Sequence, residues 1–452
     1  MRLPSTPLLL LLFIASVRAE APPVQGTMPE DLLPGLRPIL KEAVERSPST
    51  IAASIGLAVA EGTRYQQAAA LWPQLFANID YQATTQSETN SASTTNKGIF
   101  YGINLSQPIF QWGAYKNSAA MGSLGVKIAE RQYAQAYQGL AVSIREQYMG
   151  LIVKKIQLRN ARFNLKIAQE ALAAQQARFD SGSSSLAELG TFKISVEQAQ
   201  LDSDRAEEDF GYSKRVFTRL VGIDSLDDES LPLELPHPDY SAPIADAVLT
   251  GFVGDGIESA FQSQVYKLII KQQDLNYSIQ KVRLLPKFLA SASYNLSDTS
   301  QVVPGRVYQY ALQSENYQIS ANWTIFDGFA TRGAKIQALA NKRQYERFLK
   351  NYVDSTVDQI SDMRRQIGFS ARAVSLAEVH HNLIEAEVKR LGEDRSLGYA
   401  SQATIDTGVL NLYATEFQVA QARSLYLGQW SEFISLAGID PALANISPRY
   451  VR

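Results

Sequence analysis

Three histidines, His237, His380 and His381, are the first residues to test for metal or acid–base chemistry. His380 and His381 are adjacent, and neighbouring side chains on a helix point about 100° apart, so they cannot chelate one ion as an i, i+4 pair does. His237 stands alone in a proline-rich stretch. Ser183-Ser184-Ser185 follows Gly182 and reads as a turn, not as a cluster of nucleophiles. No phosphate-binding glycine loop, nucleophile elbow or paired His-Glu metal motif is present. With 0 cysteines, a thiolate metal site, a Cys nucleophile, a disulfide scaffold and a lipidated Cys anchor are excluded together. The expectation is a protein with no catalytic residues, no metal and no cofactor.

What the chain must position is therefore sought in its elements. The 452 residues carry 43 basic and 45 acidic side chains, a formal charge of −2 that leaves no basic excess for nucleic acid. Arg2, the apolar run Leu8 to Ala15, and Val17-Arg18-Ala19 form a secretory signal over 1–19, too short to span a bilayer, which takes about 20 apolar residues. No later run of that kind occurs, so any membrane entry must be by strands.

The chain repeats itself. Leu220-Val221-Gly222-Ile223-Asp224 recurs as Leu436-Ala437-Gly438-Ile439-Asp440, displaced by 216 positions (436 − 220). Ile109-Phe110 recurs as Ile325-Phe326, Gly182 as Gly398, and Leu71-Trp72-Pro73 as Leu284-Leu285-Pro286. Two units, 20–224 and 262–440, flank a linker at 225–261 that holds Pro232, Pro236, Pro238 and Pro243, with a short tail at 441–452. Those prolines predict a linker that wraps around the molecule without extending a helix.

After each Trp72-Pro73 or Leu285-Pro286 step the hydrophobic period becomes two. Leu75, Ala77, Ile79, Tyr81 and Ala83 alternate with polar neighbours, as do Ile99, Tyr101, Ile103 and Leu105. Strands are expected at about 75–86 and 98–110 in the first unit, and at about 287–297 and 312–326 in the second. A half-buried soluble sheet produces the same signal. The strand lengths, however, suit a tilted crossing of about 9–11 residues, and the polar face is uncharged apart from Asp80, as suits a water-filled lumen. Gln86 to Lys97 and Ser297 to Tyr310 are expected as solvated loops on one side of the membrane. Trp112 and Trp323, near strand ends, fit an interfacial aromatic girdle.

The period then becomes seven. Tyr137, Ile144, Leu151, Leu158, Leu165 and Leu172 have counterparts in Val353, Ile360, Ile367, Val374, His381 and Val388. This predicts coiled-coil helices at about 112–178 and 328–395, each about 100 Å long at 1.5 Å per residue, with returning helices at about 184–222 and 402–438. His381 falls on the seam, as a packing or interface residue. Four strands cannot close in lipid, where every backbone group must be paired, so closure by several copies is expected, and an open lumen favours three over two.

The double repeat, the Gln107-Pro108-Ile109-Phe110 and Thr324-Ile325-Phe326-Asp327-Gly328 exits, and the Gly182 and Gly398 turns together resemble the TolC-like outer-membrane efflux proteins, over nearly all of 28–440. The resemblance implies an α+β channel-tunnel: a homotrimer with a 12-stranded β-barrel in outer-membrane lipid, continued by a 12-helix α-barrel across the periplasm of a Gram-negative cell. It implies docking onto an inner-membrane transporter through a periplasmic adaptor, with the adaptor received at the tip, where Gly182, Ser183, Gly398 and Tyr399 lie. It also implies acidic rings just past the glycine turns. Glu188 matches that position; Thr404 departs from the usual acid, and Asp406 lies two residues further on. The function implied is a passive exit duct rather than an enzyme. The missing lipidated Cys tips the expectation toward type I protein secretion with an ABC-type transporter. A small-molecule efflux duct, or a soluble periplasmic coiled-coil adaptor, are the alternatives.

Overall fold

The computed structural model describes residues 27–451 apart from 88, 90–92 and 304; the expected signal, 1–19, lies outside the described residues. Helices α1 (Pro29–Leu32), α2 (Leu36–Arg46) and α3 (Pro48–Ala69) lead into strands β1 (Gln74–Gln86) and β2 (Thr94–Phe110). Helix α4 (Ala114–Asp180) then runs for 67 residues and α5 (Leu186–Val221) returns for 36. The linker carries α6 (Ala242–Gly251), one π-helical turn and α7 (Ile257–Ser259). The second half follows the first: α8 (Phe261–Lys281), β3 (Lys287–Val303), β4 (Arg306–Asn322), α9 (Ala330–Ser396) and α10 (Gln402–Leu436). A 3₁₀ turn at Pro441–Asn445 and α11 (Pro448–Val451) end the chain. None of the described helices is long and apolar enough to cross a membrane.

The four strands form one antiparallel sheet in chain order, β1-β2-β3-β4. Its register puts Ile79, Tyr101, Leu296 and Gln313 on one rung, and Leu75, Leu105, Ala292 and Tyr317 on another. The alternation seen in the sequence is thus one apolar face, formed jointly by all four strands. Three expectations need correction. β2 begins at Thr94, so the end of the expected loop from Gln86 to Lys97 belongs to the sheet. The segment 297–310 is not a polar loop, because β3 and β4 continue through it to a tight turn at Val303 and Arg306, where Gly305 takes φ 83°. Polar side chains hid the strands there because neither face of this extension is uniformly apolar. Strand β4 also stops at Asn322, leaving Trp323 to Phe326 outside the sheet.

That early stop belongs to a sharp strand-to-helix bend found in both halves. Trp112 and Gly113 are left-handed (φ 54° and 82°), as are their counterparts Gly328 and Phe329 (φ 64° and 68°). A left-handed non-glycine residue costs about 1–2 kcal/mol, and each half relieves only one of its two positions with glycine. Aromatic contacts oppose the cost: the Phe110 and Trp112 rings meet edge-on at 4.9 Å, and Phe326 and Phe329 at 5.3 Å. On the helix side, Asp327 Oδ2 accepts from the Thr331 backbone N–H at 2.9 Å and so starts α9.

Along the helices the seven-residue seam is the packed one. Tyr137, Ile144, Leu151, Leu158, Ile360, Ile367 and Val374 are buried, and Leu165, Leu172, His381 and Val388, nearer the tip, are half-buried. α4 packs against α3, α5, α8 and α10, and α9 against α8 and α10. The core lies where α2, the linker, the tail and the α10 end wrap these helices. The linker departs from the expected non-helical wrap: 225–241 is irregular, but α6 and α7 are helical, and α6 packs on α9. Three of the four prolines precede α6, and Pro243 sits in its first turn, where its missing N–H has no helical partner to lose.

At the centre of the core is a charge cluster. Arg145, fully buried, donates to both Glu30 oxygens (2.8 and 2.6 Å) and both Asp440 oxygens (2.7 and 2.7 Å). Asp440 also caps the 3₁₀ turn through Ala442 N–H. One guanidinium therefore ties α1, α4 and the C-terminal tail, in the bidentate geometry that lets Arg survive burial.

Candidate functional site

The conduit expected from the sequence requires a path and a docking end, and the chain offers a candidate for each. Each long hairpin turns through the same motif. At the first tip, Gly182 is left-handed, its N–H donates to Phe179 O at 2.9 Å, and Ser183 N–H donates to Arg178 O at 2.8 Å. At the second, Gly398 N–H donates to Arg395 O at 2.9 Å and Tyr399 N–H to Asp394 O at 2.8 Å. These pairs are Schellman closures, which need the positive φ that glycine supplies. The two tips differ in what they present. The first offers Ser181 and Ser183, joined by a 3.1 Å hydroxyl contact; the second offers Leu397 and Tyr399, 67% and 83% exposed.

Glu188 is placed by helix capping. Ser185 Oγ accepts from Glu188 N–H at 3.2 Å, and the Glu188 carboxylate accepts from Ser185 N–H at 3.1 Å and from the Ser184 hydroxyl at 2.9 Å. Bonds from the Ser185 backbone and the Ser184 hydroxyl hold its carboxyl below the usual range. At the second tip Thr404 occupies the same place: its N–H donates to Ser401 Oγ at 3.1 Å, and the two hydroxyls meet at 2.8 Å. Asp406 is half-buried and accepts from Gln402 Nε2 at 2.6 Å, one turn away. Glu188 and Thr404 thus share one structural role on equivalent helices, and only one of them carries charge.

The remaining expected positions lie apart from the tip. Trp112, at the barrel end, donates from Nε1 to Pro286 O at 2.7 Å and so ties the first exit to the second half; Trp323 is 63% exposed. His381 Nδ1 lies 3.2 Å from Thr415 Oγ1, within the α9–α10 seam. His237 joins a contact that sequence reasoning did not reach. Its Nδ1 lies 2.7 Å from Glu378 Oε1, which also accepts from Arg423 at 2.9 and 2.6 Å. Arg423 donates in turn to Leu235 O, so the linker is pinned to α9 and α10. No motif spacing could have revealed this clamp, because its three members come from three separate elements. Asp440 did carry a signal, as the last residue of the repeated Gly-Ile-Asp; its first-half counterpart, Asp224, is exposed.

The sheet supplies the path. One face carries Leu75, Ile79, Ile103, Leu105 and Ile319, all exposed, and the other carries Asn78, Gly102, Asn295 and Ser314 on a single rung. Both outer strands, β1 and β4, leave one edge unpaired within the chain.

Comparison with known proteins agrees with this layout. The outer membrane efflux protein family model matches residues 39–211. The chain is 21% identical to the alkaline protease secretion protein AprF of Pseudomonas aeruginosa over 350 residues, 75% of this chain and 69% of that protein. It is 24% identical to the pyoverdine export outer membrane protein OpmQ of Pseudomonas putida over 216 residues, 46% of each. The crystal structure of the CmeC outer membrane channel of Campylobacter jejuni superimposes with a TM-score of 0.72 at 13% identity, covering 97% of this chain and 94% of that one. The repeat, the sheet with one lipid-compatible face, the paired 67-residue helices and these matches lead to one conclusion: the chain has the fold of the TolC-like outer membrane channels and resembles the outer membrane efflux proteins, matching their family model over 39–211, as a protein of the outer membrane that extends into the periplasm.

Proposed function

We propose that three copies of the chain close head to tail into the exit duct of a tripartite export machine, and that its cargo is polypeptide. The observation that carries the duct is the pair of open flanks. β1, α3 and α5 lie along one side of the protomer and β4 and α9 along the other, so the unpaired edge of one copy can be satisfied by the opposite edge of the next. Both flanks are apolar. α9 exposes Phe369, Leu376 and Leu383 at seven-residue intervals, and α5 exposes Ile194 and Leu201 at the same interval. Such seams call for a helix partner. Three copies supply twelve strands, enough to leave a lumen, where eight would be filled by side chains.

In this reading the apolar sheet face meets lipid, and Trp112 and Trp323 sit at its inner boundary. Glu188 lines the periplasmic constriction as a charged ring beside an uncharged one at Thr404, with Asp406 the second acidic candidate. The tips, with Gly182, Ser183, Gly398 and Tyr399, receive a periplasmic adaptor that links the duct to an inner-membrane transporter of ABC type. Passage is passive, with energy supplied by that transporter. The match to a protein named for alkaline protease secretion, over 75% of the chain, supports polypeptide cargo. The shorter match to a pyoverdine export protein supports a second reading, small-molecule export through the same duct. Cross-linking in intact cells, followed by identification of the co-purifying inner-membrane protein, separates them. An ATP-driven transporter with a secreted protein substrate is expected; a proton-driven exporter would overturn the polypeptide reading.

A further inference from the structure

The polarity of the sheet inverts along its height. Near the helices the lumen-facing rungs are small and polar apart from Phe76: Gln74, Ser106, Ser291 and Gln318, then Phe76, Asn104, Ser293 and Asn316, then Asn78, Gly102, Asn295 and Ser314. Toward the hairpin ends the same face changes. The next rung is Asp80, Phe100, Ser297 and Leu312, followed by Gln82, Gly98, Thr299 and Tyr310, and then by Thr84, Asn96, Gln301 and Tyr308. The opposite face changes in the reverse sense, from Ile79, Tyr101 and Leu296, through Tyr81, Ile99, Asp298 and Ala311, to Ala83, Lys97, Ser300 and Gln309, with only the small apolar pair Val302 and Val307 beyond them. β3 and β4 are 17 residues each, whereas a tilted crossing takes about 9–11, so the upper rungs stand beyond the bilayer, with water on their outer side. Large apolar side chains placed there have only the inside left to them.

We propose that Phe100, Tyr310 and Leu312, repeated in every copy, form an apolar collar across the outer end of the lumen, a second constriction that favours cargo with apolar or aromatic surface over hydrated ions. The inference rests on the duct reading above. Phe100 and Tyr310 flank one concavity of the lumen face with Gln82, Gly98 and Thr299 at its floor. Gly98 is required by that floor: a Cβ there would stand 2.5 Å from Thr299 Cγ2 and 2.7 Å from the Asp298 carbonyl oxygen. Tyr310 also reaches Gln301, hydroxyl to Oε1 at 3.4 Å, one rung further out on the same face, so its ring lies along the lumen face. Apolar constrictions hinder ions because water must be stripped or expelled to pass them.

The test is single-channel recording in planar bilayers. The Phe100→Ser, Tyr310→Ser, Leu312→Ser triple variant is expected to conduct more than the parent, whereas Gln309→Ser, on the outward side, leaves conductance unchanged. A second arm needs no large change of packing. The chain has 0 cysteines, so Tyr310→Cys carries the sole thiol; a bulky charged thiol reagent added from the outer side is expected to lower conductance there and not at Gln309→Cys. Equal conductance of parent and triple variant, or equal response of the two cysteine variants, overturns the collar and leaves the duct standing. Absence of any channel from the parent protein overturns both.

Discussion

Glu188 holds two positions at once, as helix cap and as proposed pore charge, and the two can be separated by choice of substitution. Replacement by Ala removes the charge and the cap together, the latter worth about 1 kcal/mol. Replacement by Gln keeps an acceptor for Ser185 N–H and removes only the charge. Glu188→Gln is therefore expected to reduce cation preference in planar bilayers with thermal stability unchanged; unaltered ion selectivity would remove Glu188 from the constriction. Arg145 poses the opposite case, since its role is internal. Arg145→Met would leave Glu30 and Asp440 buried without a counter-charge, a loss of about 3–5 kcal/mol, and should lower the unfolding temperature by several degrees. An unchanged melting profile would mean the cluster is not what ties the termini to α4. Arg145 was not legible in the sequence: it is one arginine among many on a long helix, and the residues that bury it come from opposite ends of the chain.

The glycines at helix ends make separate predictions. Gly222 is left-handed at φ 85°, and a Cβ there would lie 2.1 Å from the Arg46 carbonyl oxygen, whereas Gly182 at φ 74° has open space. Gly182→Ala should cost only the left-handed penalty of about 1–2 kcal/mol, and Gly222→Ala clearly more, because backbone must move; equal melting temperatures for the two variants would contradict this. The linker clamp carries a pH dependence. Burial alone would raise the Glu378 carboxyl, but hydrogen bonds from His237 and Arg423 more than offset it and hold it below its ordinary value. A depressed folded-state pKa stabilises above the unfolded value of about 4.3 and loses that contribution as pH falls through the folded one. Protection against hydrogen exchange over residues 231–240, relative to the intrinsic rate at each pH, should thus stay high at neutral pH and fall only in acid, and Glu378→Gln should lower it at pH 7. Slow exchange in that variant would show that the clamp does not secure the linker. At this scale the sequence was informative wherever a period repeats: the seam from Tyr137 to Leu158 and the apolar rungs from Leu75 to Ile103 could be read directly. It failed at 297–310, where the strands leave the bilayer and their faces exchange polarity, and at Trp323, where the strand has ended although the alternation runs on to Ile325, ahead of the left-handed bend at Gly328 and Phe329.

Over the whole molecule, two equal hairpins on one four-stranded sheet leave a protomer incomplete along both sides. The need for closure by other copies was legible in the sequence, because 216-residue periodicity and strands of lipid-crossing length imply a sheet that one chain cannot finish. The outer collar was not, since it depends on a register across four strands that alternation within one strand does not reveal. The central claim, closure of the barrel by three chains, is tested most directly by the mass of the particle extracted from outer membranes in mild detergent. A species of three chains that falls to one on boiling is expected. A monomer, or a stable assembly of any other number, would contradict the account.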